Sequence, residues 1–459
     1  MRGKDIFEKV AESPAKALDA TIREGEAAID LVKNQKPIKK AEEYWNILGP
    51  GLTTGASDDD PSGIATYSQT GARFGFQLLW LSLFTFPLMA VVQEMCARIG
   101  LVTGRGLAAN IRMHFPRWVL YSATILLFVA NTFNIGADLG ALAEATRLFA
   151  PNLNYSLILV GFALFIILLQ IFSTYKKYAK YLKWLALLLL SYVFSTLMIK
   201  GLDWKSIGMH TLIPSMTFGK EQIILICGIL GTTISPYLFF WQTSQEVEEE
   251  IAMGKTNVAM READTPDNEI KDMRIDVWSG MFLSNLVMFF IITACAATLN
   301  LQGITNIGTA AEAADALRPL AGDASYLLFA IGIFGVGLLG IPVLAGSAAY
   351  AISESFGWKQ GLNYKLKQAS AFYGVIIISI LIGVGLNFIG LDPIKALIYS
   401  AVANGLVAPV VLVLIVVLAS NKKIMGRWVS GGATRVVGWI ATSLMIIAGL
   451  ATIYSIFWG

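Results

Sequence analysis

The sequence has few of the residues from which soluble active sites and metal clusters are built. Only three cysteines occur, Cys96, Cys227 and Cys295, each inside an apolar stretch and none in CxxC spacing. That excludes a disulfide framework or a cysteine zinc site and leaves the thiols as small apolar side chains. The two histidines, His114 and His210, sit far apart in polar connections, so no histidine metal pair is expected. No nucleophile elbow, phosphate-binding loop or zinc signature is present, which argues against an enzyme and against a resident cofactor. Charged residues are only 15% of the chain, and the net charge of +3 is too small to point to nucleic acid. The N-terminal stretch has no apolar core followed by a small-residue cleavage site, so a signal peptide is not expected.

What is abundant is apolar surface. Of 459 residues, 55% are hydrophobic, and the mean hydropathy is +0.62. A water-soluble protein of this length needs more polar surface, so the surplus faces lipid. A window of about 19 residues finds eleven spans, near 47–70, 75–100, 117–146, 154–174, 181–200, 221–245, 274–299, 324–352, 369–390, 393–419 and 434–457. Residues 1–46 differ in kind, being charged, alanine-rich and helical in pattern, and are read as a cytosolic amphipathic segment ahead of a membrane domain over 47–457. With the N-terminus inside, all of the 35 lysines and arginines fall on the cytoplasmic side except Arg73, Arg147, Lys200, Lys205, Lys220, Arg318 and Lys395. This bias meets the positive-inside rule, places the C-terminus outside and suits a cell inner (plasma) membrane.

Spans 1 and 6 are anomalous. The first, Gly49 to Gln69, holds Pro50, Pro61, four glycines and Asp58-Asp59-Asp60. A charge at the centre of a span costs about 2.5–3.5 kcal/mol on insertion scales, so such a run is not lipid-facing. The sixth, Gly228 to Gln245, carries glycines, hydroxyl residues and Pro236 mid-span. Proline removes a backbone donor and adjacent glycine permits unwinding. Two breaks five spans apart are the pattern of an inverted repeat, here about 47–200 against 221–419 with an additional helix at 434–457, whose discontinuous helices meet at midplane. Unwound carbonyls and the negative ends of half-helices, with an aspartate beside them, specify a cation.

At these residues the chain resembles the NRAMP (SLC11-like) divalent-metal transporters. The family's first helix carries Gly-Pro-Gly and then an Asp-Pro-Gly-Asn motif; here Gly49-Pro50-Gly51 is followed by Asp60-Pro61-Ser62-Gly63. The sixth-helix Ala-x-x-Met-Pro-His motif corresponds to Thr232-Thr233-Ile234-Ser235-Pro236-Tyr237, and further matches lie at 97–104 and 421–426. The resemblance implies an all-α LeuT-like fold that binds a divalent cation as substrate in the bilayer, with no obligate protein partner indicated.

The departures from the family are informative. Asp60 is kept, but the motif asparagine is Gly63 and the methionine is Ser235, which replaces a soft sulfur by a hard oxygen. Hard oxygen donors suit Mg2+ and Mn2+, and Mg2+ usually retains several waters. The resemblance is therefore to the magnesium-transporting branch of the family. The histidine linked to proton handling is Tyr237, and the third-helix Asp-Leu-Ala-Glu stretch is Asp138-Leu139-Gly140-Ala141, without the glutamate, so proton coupling is expected to be weak or absent. A tenth-helix glutamine falls at Val407, with Asn404 one turn earlier as an alternative amide.

The metal set expected is Asp60, the carbonyls near Ser57 and Thr232, Gly63, Thr233 and Ser235. Asp60 is read as charge partner of the ion, against a cap on a half-helix. Ser235 and Thr233 are read as orienting its waters, against simple back-bonding along their helix. Asp58 and Asp59 are expected in an aqueous vestibule, against one of them lining the same cavity on unwound backbone. Asp138 is read as a gate or salt-bridge partner in a buried, paired role, and Glu246, Glu248, Glu249 and Glu250 as a solvated acidic loop, against an ion funnel. Gly340-Ile341-Pro342 is read as a packing break without accompanying acid. Two other functions compete: a proton-coupled Mn2+/Fe2+ importer, and a Na+-coupled organic-solute symporter, against which Asp60 at the break argues.

Overall fold

The computed structural model describes residues 36–263, 265–307, 310–390 and 392–458, and every regular element among them is helical. Helix α1 (Lys36–Ile47) belongs to one compact unit, Met1–Leu48, and all later elements to another, Gly49–Gly459. Of the segment expected over 1–46, residues 1–35 lie outside the described residues.

The first span is two helices, α2 (Pro50–Asp58) and α3 (Pro61–Phe74), and the sixth is likewise two, α11 (Lys220–Thr233) and α12 (Pro236–Ala252). Pro50, Pro61 and Pro236 each open a half-helix, where a missing N–H costs nothing and a fixed φ helps. At Pro61 and Pro236 the same missing donor forbids a continuous helix. Between the two breaks run α4 (Trp80–Thr103), the short α5 (Leu107–His114), α6 (Arg117–Phe149), α7 (Tyr155–Phe172), α8 (Tyr175–Ala186), α9 (Leu190–Leu197) and α10 (Trp204–Leu212). After them come α13 (Val258–Ala263), α14 (Asp267–Thr298), α15 (Ala310–Phe356), α16 (Ser370–Leu386), α17 (Pro393–Ala419), α18 (Lys422–Met425) and α19 (Gly432–Trp458). α15 is two helices joined at Gly322, whose φ is 82°. Nine helical stretches among the described residues are long and apolar enough to cross a bilayer; the divided first span and the shorter α16 bring the crossings to eleven.

Outer helices carry the apolar surplus. Leu157, Leu164, Phe165 and Phe172 on α7 and Ile447, Leu450, Phe457 and Trp458 on α19 are exposed, as lipid-facing side chains are. The broken spans are the opposite, buried almost along their whole length. α2 runs against α14 with backbones in contact. A methyl group on Gly280 would stand 2.1 Å from the Gly51 carbonyl oxygen, and one on Gly55 would stand 2.2 Å from the Gly280 backbone. Small residues of this kind let helices approach closely where no hydrophobic force between them exists.

The same helix supplies a cap. Asp276 on α14 accepts N–H bonds from Gly49, Gly51 and Leu52 at 2.8, 2.6 and 2.9 Å. These are donors that the first turn of a helix leaves without an intrahelical partner, and their bonds to an ionised carboxylate are of the strong kind.

Two expectations need correction. Glu246, Glu248 and Glu250 are buried on α12, not in a solvated loop. Glu248 accepts from Tyr350 at 2.6 Å and from the Leu362 amide at 2.9 Å, holding the segment after α15; Glu249 accepts from the Tyr175 hydroxyl at 3.0 Å. Glu250 and Glu269 both pair with Lys255, at 3.2 and 3.0 Å. Burial works against the Lys255 charge, yet the hydrogen bonds to Glu269 and Glu250 raise its ammonium above the usual lysine range. The Gly340-Ile341-Pro342 stretch does not break α15, and its acid neighbours come from other helices, as described below.

Gly280→Ala is expected to separate α2 from α14 and to lower stability by about 1–3 kcal/mol, the usual cost of overpacking. Thermal unfolding of the detergent-purified protein reads it; an unchanged Tm would mean that this contact is not tight.

Candidate metal site

The site forms where α2, α3, α11 and α12 end against one another. Asp58 ends α2, Asp59 and Asp60 occupy the gap before α3, and all three are buried, which corrects the vestibule expected for the first two. Asp60 is the N-cap of α3. Its Oδ1 accepts from the Gly63 amide at 2.9 Å and from Ser62 Oγ at 2.5 Å, and its Oδ2 accepts from Asn134 Nδ2 at 2.7 Å. The cap role weighed against ion binding is therefore real. It also aims the carboxylate, because every donor on Asp60 comes from a fixed backbone or a buried side chain.

Two tyrosines tie the breaks together. Tyr237, in the first turn of α12, donates to the Ser57 carbonyl at 2.8 Å and stands 3.4 Å from Asp60 Oδ2. Tyr67 on α3 shares a hydrogen bond with Thr232 Oγ1 on α11 at 3.0 Å. Thus Ser57, Asp60, Gly63 and Tyr237 lie within one connected hydrogen-bond network, while Tyr67 and Thr232 make a separate bond between α3 and α11. Gly63 leaves limited room: a methyl group there would be 3.1 Å from the Asp58 carbonyl oxygen and 3.5 Å from the Tyr67 ring.

The hydroxyls of α11 and its break bond along their own helix. Thr232 donates to the Ile229 carbonyl at 3.0 Å, Thr233 to the same oxygen, and Ser235 to the Gly231 carbonyl at 2.5 Å. Back-bonding is thus the observed geometry for Thr233 and Ser235; a donating hydroxyl still keeps two lone pairs. The carbonyls that end α11 have no partner within the helix. The Leu230 oxygen accepts from the Ile234 amide and the Gly231 oxygen from Ser235, while Pro236 has no N–H to offer the Thr232 oxygen.

Around this network lie buried polar atoms without a hydrogen-bond partner among the described residues: one oxygen of Asp58, both of Asp59, both of Asp138, Asn134 Oδ1, and both amide atoms of Asn404. The other Asp58 oxygen accepts from Ser284 at 2.5 Å. Asp138, expected as one half of an ion pair, has no basic partner among the described residues and neighbours Asp60 instead. Gly340 fills the space between them, since a methyl there would stand 2.9 Å from Asp60 Cβ and 3.9 Å from Asp138 Oδ2. Val407 and Asn404 are both buried on α17. No three His, Cys, Asp or Glu side chains converge as a metal-binding cluster among the described residues. Asp60, the unwound carbonyls and the hydroxyls are the donors at the two breaks, and all are hard oxygens.

Sequence reasoning missed Asn134, Tyr67, Ser284 and Asp276. Asn131, Asn134 and Asp138 repeat at helical spacing inside an apolar span, and that pattern was the available signal for Asn134. Asp276 had none, because its partners are backbone amides more than two hundred residues away.

Tyr237→Phe is expected to leave the buried Ser57 carbonyl unpaired and to cost about 1–3 kcal/mol. A fall in Tm checks it, and an unchanged Tm would show that the bridge does not hold the two breaks together.

Comparison with known proteins agrees with this architecture. The family profile of Nramp, natural resistance-associated macrophage protein-like, matches residues 51–455. A divalent metal cation transporter MntH of Yersinia pestis (strain Pestoides F) is 25% identical over 422 residues, covering 91% of this chain and 96% of that protein. The MntH protein of Caldanaerobacter subterraneus subsp. tengcongensis is 27% identical over 414 residues, covering 89% and 93%. Among solved structures, the Eremococcus coleocola manganese transporter in complex with an aromatic bis-isothiourea compound superposes with a TM-score of 0.69 at 20% identity, covering 90% of this chain and 87% of that one. Mhp1, a nucleobase-cation-symport-1 family transporter in a closed conformation, superposes with a TM-score of 0.54 at 15% identity, covering 89% and 91%. The fold is accordingly that of LeuT-like membrane transporters, with inverted five-span repeats broken in spans 1 and 6. With the profile matched over nearly the whole membrane portion, the chain belongs to the Nramp family.

Proposed function

We propose that this chain is a divalent metal cation transporter that moves Mg2+, and with it Mn2+, into the cytoplasm through the Asp60 site. The observation that carries the reading is the donor set: Asp60, the carbonyls ending α2 and α11, and Ser235 in place of a thioether. Every one of these donors is a hard oxygen. Such ligands favour Mg2+ and Mn2+ over late transition metals. With one carboxylate at hand, the ion keeps part of its water shell, as Mg2+ usually does. The two proteins named MntH and the manganese transporter of similar fold support the divalent-cation class.

Proton coupling is absent in this reading. Tyr237 stands at the position of the family's histidine, and an ordinary phenol titrates near pH 10. The driving force is then the electrochemical gradient, and a potential of 100 mV supplies about 4.6 kcal/mol for a divalent ion. The positive-inside bias supports a cytoplasmic N-terminus, an external C-terminus and residence in the cell inner membrane. We also retain the division into a cytosolic segment, 1–46, and a transporter domain, 47–457.

Reconstituted in liposomes with trapped Mg2+-sensitive and pH-sensitive dyes, the protein is expected to give saturable Mg2+ uptake without acidification, and Asp60→Ala is expected to abolish it. Mn2+ uptake with acidification and without Mg2+ flux would instead assign a proton-coupled Mn2+/Fe2+ importer. Ser235→Met restores a soft donor and is expected to shift the Cd2+/Mg2+ uptake ratio several-fold toward Cd2+. An unchanged ratio would remove Ser235 from the selectivity argument.

A further inference from the structure

Helix α6 carries a polar face inside the membrane domain. Asn131, Asn134 and Asp138 follow one another at spacings of three and four, so they line one side of the helix, and none is exposed. Their donors are used and their acceptors are not. Asn131 Nδ2 donates to the Leu344 carbonyl at 3.0 Å and Asn134 Nδ2 donates to Asp60 Oδ2 at 2.7 Å. The Oδ1 atoms of both asparagines and both carboxylate oxygens of Asp138 have no hydrogen-bond partner among the described residues. Four buried acceptors in a row, with no basic side chain beside them among the described residues and only the Ser62 amide near Asp138, are costly in a medium of low dielectric.

The position is separate from the coordination of Asp60. Both Asp60 oxygens already receive donors, from Ser62 and Gly63 on one side and from Asn134 on the other, with Tyr237 close by. Asp138 receives no side-chain donor among the described residues, only the Ser62 amide lies near it, and it stands across the bare face of Gly340 from Asp60. Asn134 touches both: its amide nitrogen serves Asp60, and its amide oxygen is left one helical turn from Asp138.

We propose that Asp138 and the side-chain oxygen of Asn134 form a second cation position that takes a dehydrated monovalent ion, Na+, as a co-ion. One carboxylate neutralises one positive charge, and two side chains a turn apart on a rigid helix supply oxygens without a flexible loop. A divalent ion is disfavoured because Mg2+ dehydrates reluctantly and the Gly340 contact leaves little room for its waters. The ion fixes the Asn134 rotamer that donates to Asp60, and so links occupancy of this position to the geometry of the first. That link rests on the Asp60 reading; the binding of Na+ does not.

The test is thermal unfolding of the purified full chain in detergent, in EDTA, with NaCl or choline chloride at equal ionic strength. Na+ is expected to raise Tm progressively with concentration, as a ligand of the folded state does, and choline is not. Asp138→Asn is expected to lose the shift, and Asn134→Ala serves where that variant does not purify. An equal shift with choline, a shift retained in these variants, or a Tm that follows pH alone overturns the proposal. In liposomes, Na+ is expected to lower the apparent KM for Mn2+ several-fold in the wild type. A Na+-dependent Tm shift without divalent flux would leave this position standing and remove the Asp60 reading instead.

Discussion

A carboxylate taken out of water needs a positive partner or a set of donors, and between packed helices in a bilayer it finds water hardest to reach. Five aspartates among the described residues, Asp58, Asp59, Asp60, Asp138 and Asp276, are in that position, and only Asp60 and Asp276 have donors on both oxygens. The rest of the architecture can be understood as the means of holding that arrangement. The broken helices bring carbonyl ends and an N-cap to one level, and the tyrosines Tyr67 and Tyr237 cross from each broken span to the other. Ser284 reaches Asp58 from α14.

The scaffold around the breaks is built for close approach. Gly51, Gly55 and Gly280 let α2 lie directly on α14, and Asp276 holds the first turn of α2 by three amides. A half-helix of nine residues has little stability of its own, because nucleation is costly and most helical stability comes from tertiary packing. Its position is therefore set by its neighbour, and a shift of α14 would carry α2 with it. The buried Glu248, which holds the segment after α15, ties another part of the bundle in the same way.

Charged groups divide into two populations with different physics. Those near the helix ends pair with one another: Lys255 with Glu250 and Glu269, Arg105 with Glu262, Arg73 with Glu221. Those at the breaks have no basic partner among the described residues. The first kind is ordinary stabilisation, partly screened by water. The second is costly to keep ionised unless a cation completes it, and otherwise holds a proton; a cation carrier can exploit that cost.

The membrane character, the eleven crossings, the two breaks and Asp60 were legible in the sequence, because each depends on composition or on local chemistry. Apolar runs report lipid, proline reports a missing donor, and an aspartate inside a span reports a cost that must be offset. Which side chains meet at the breaks depends on contacts across the fold. Asn134 donates to Asp60 from 74 residues away, Tyr237 reaches Ser57 from 180 and Asp276 caps α2 from more than 220. The burial of Asp58 and Asp59 and the glutamates of α12 folded into the bundle were decided there as well. Local sequence determines where a helix must break; only the packing of helices far apart in the chain determines which groups face the gap.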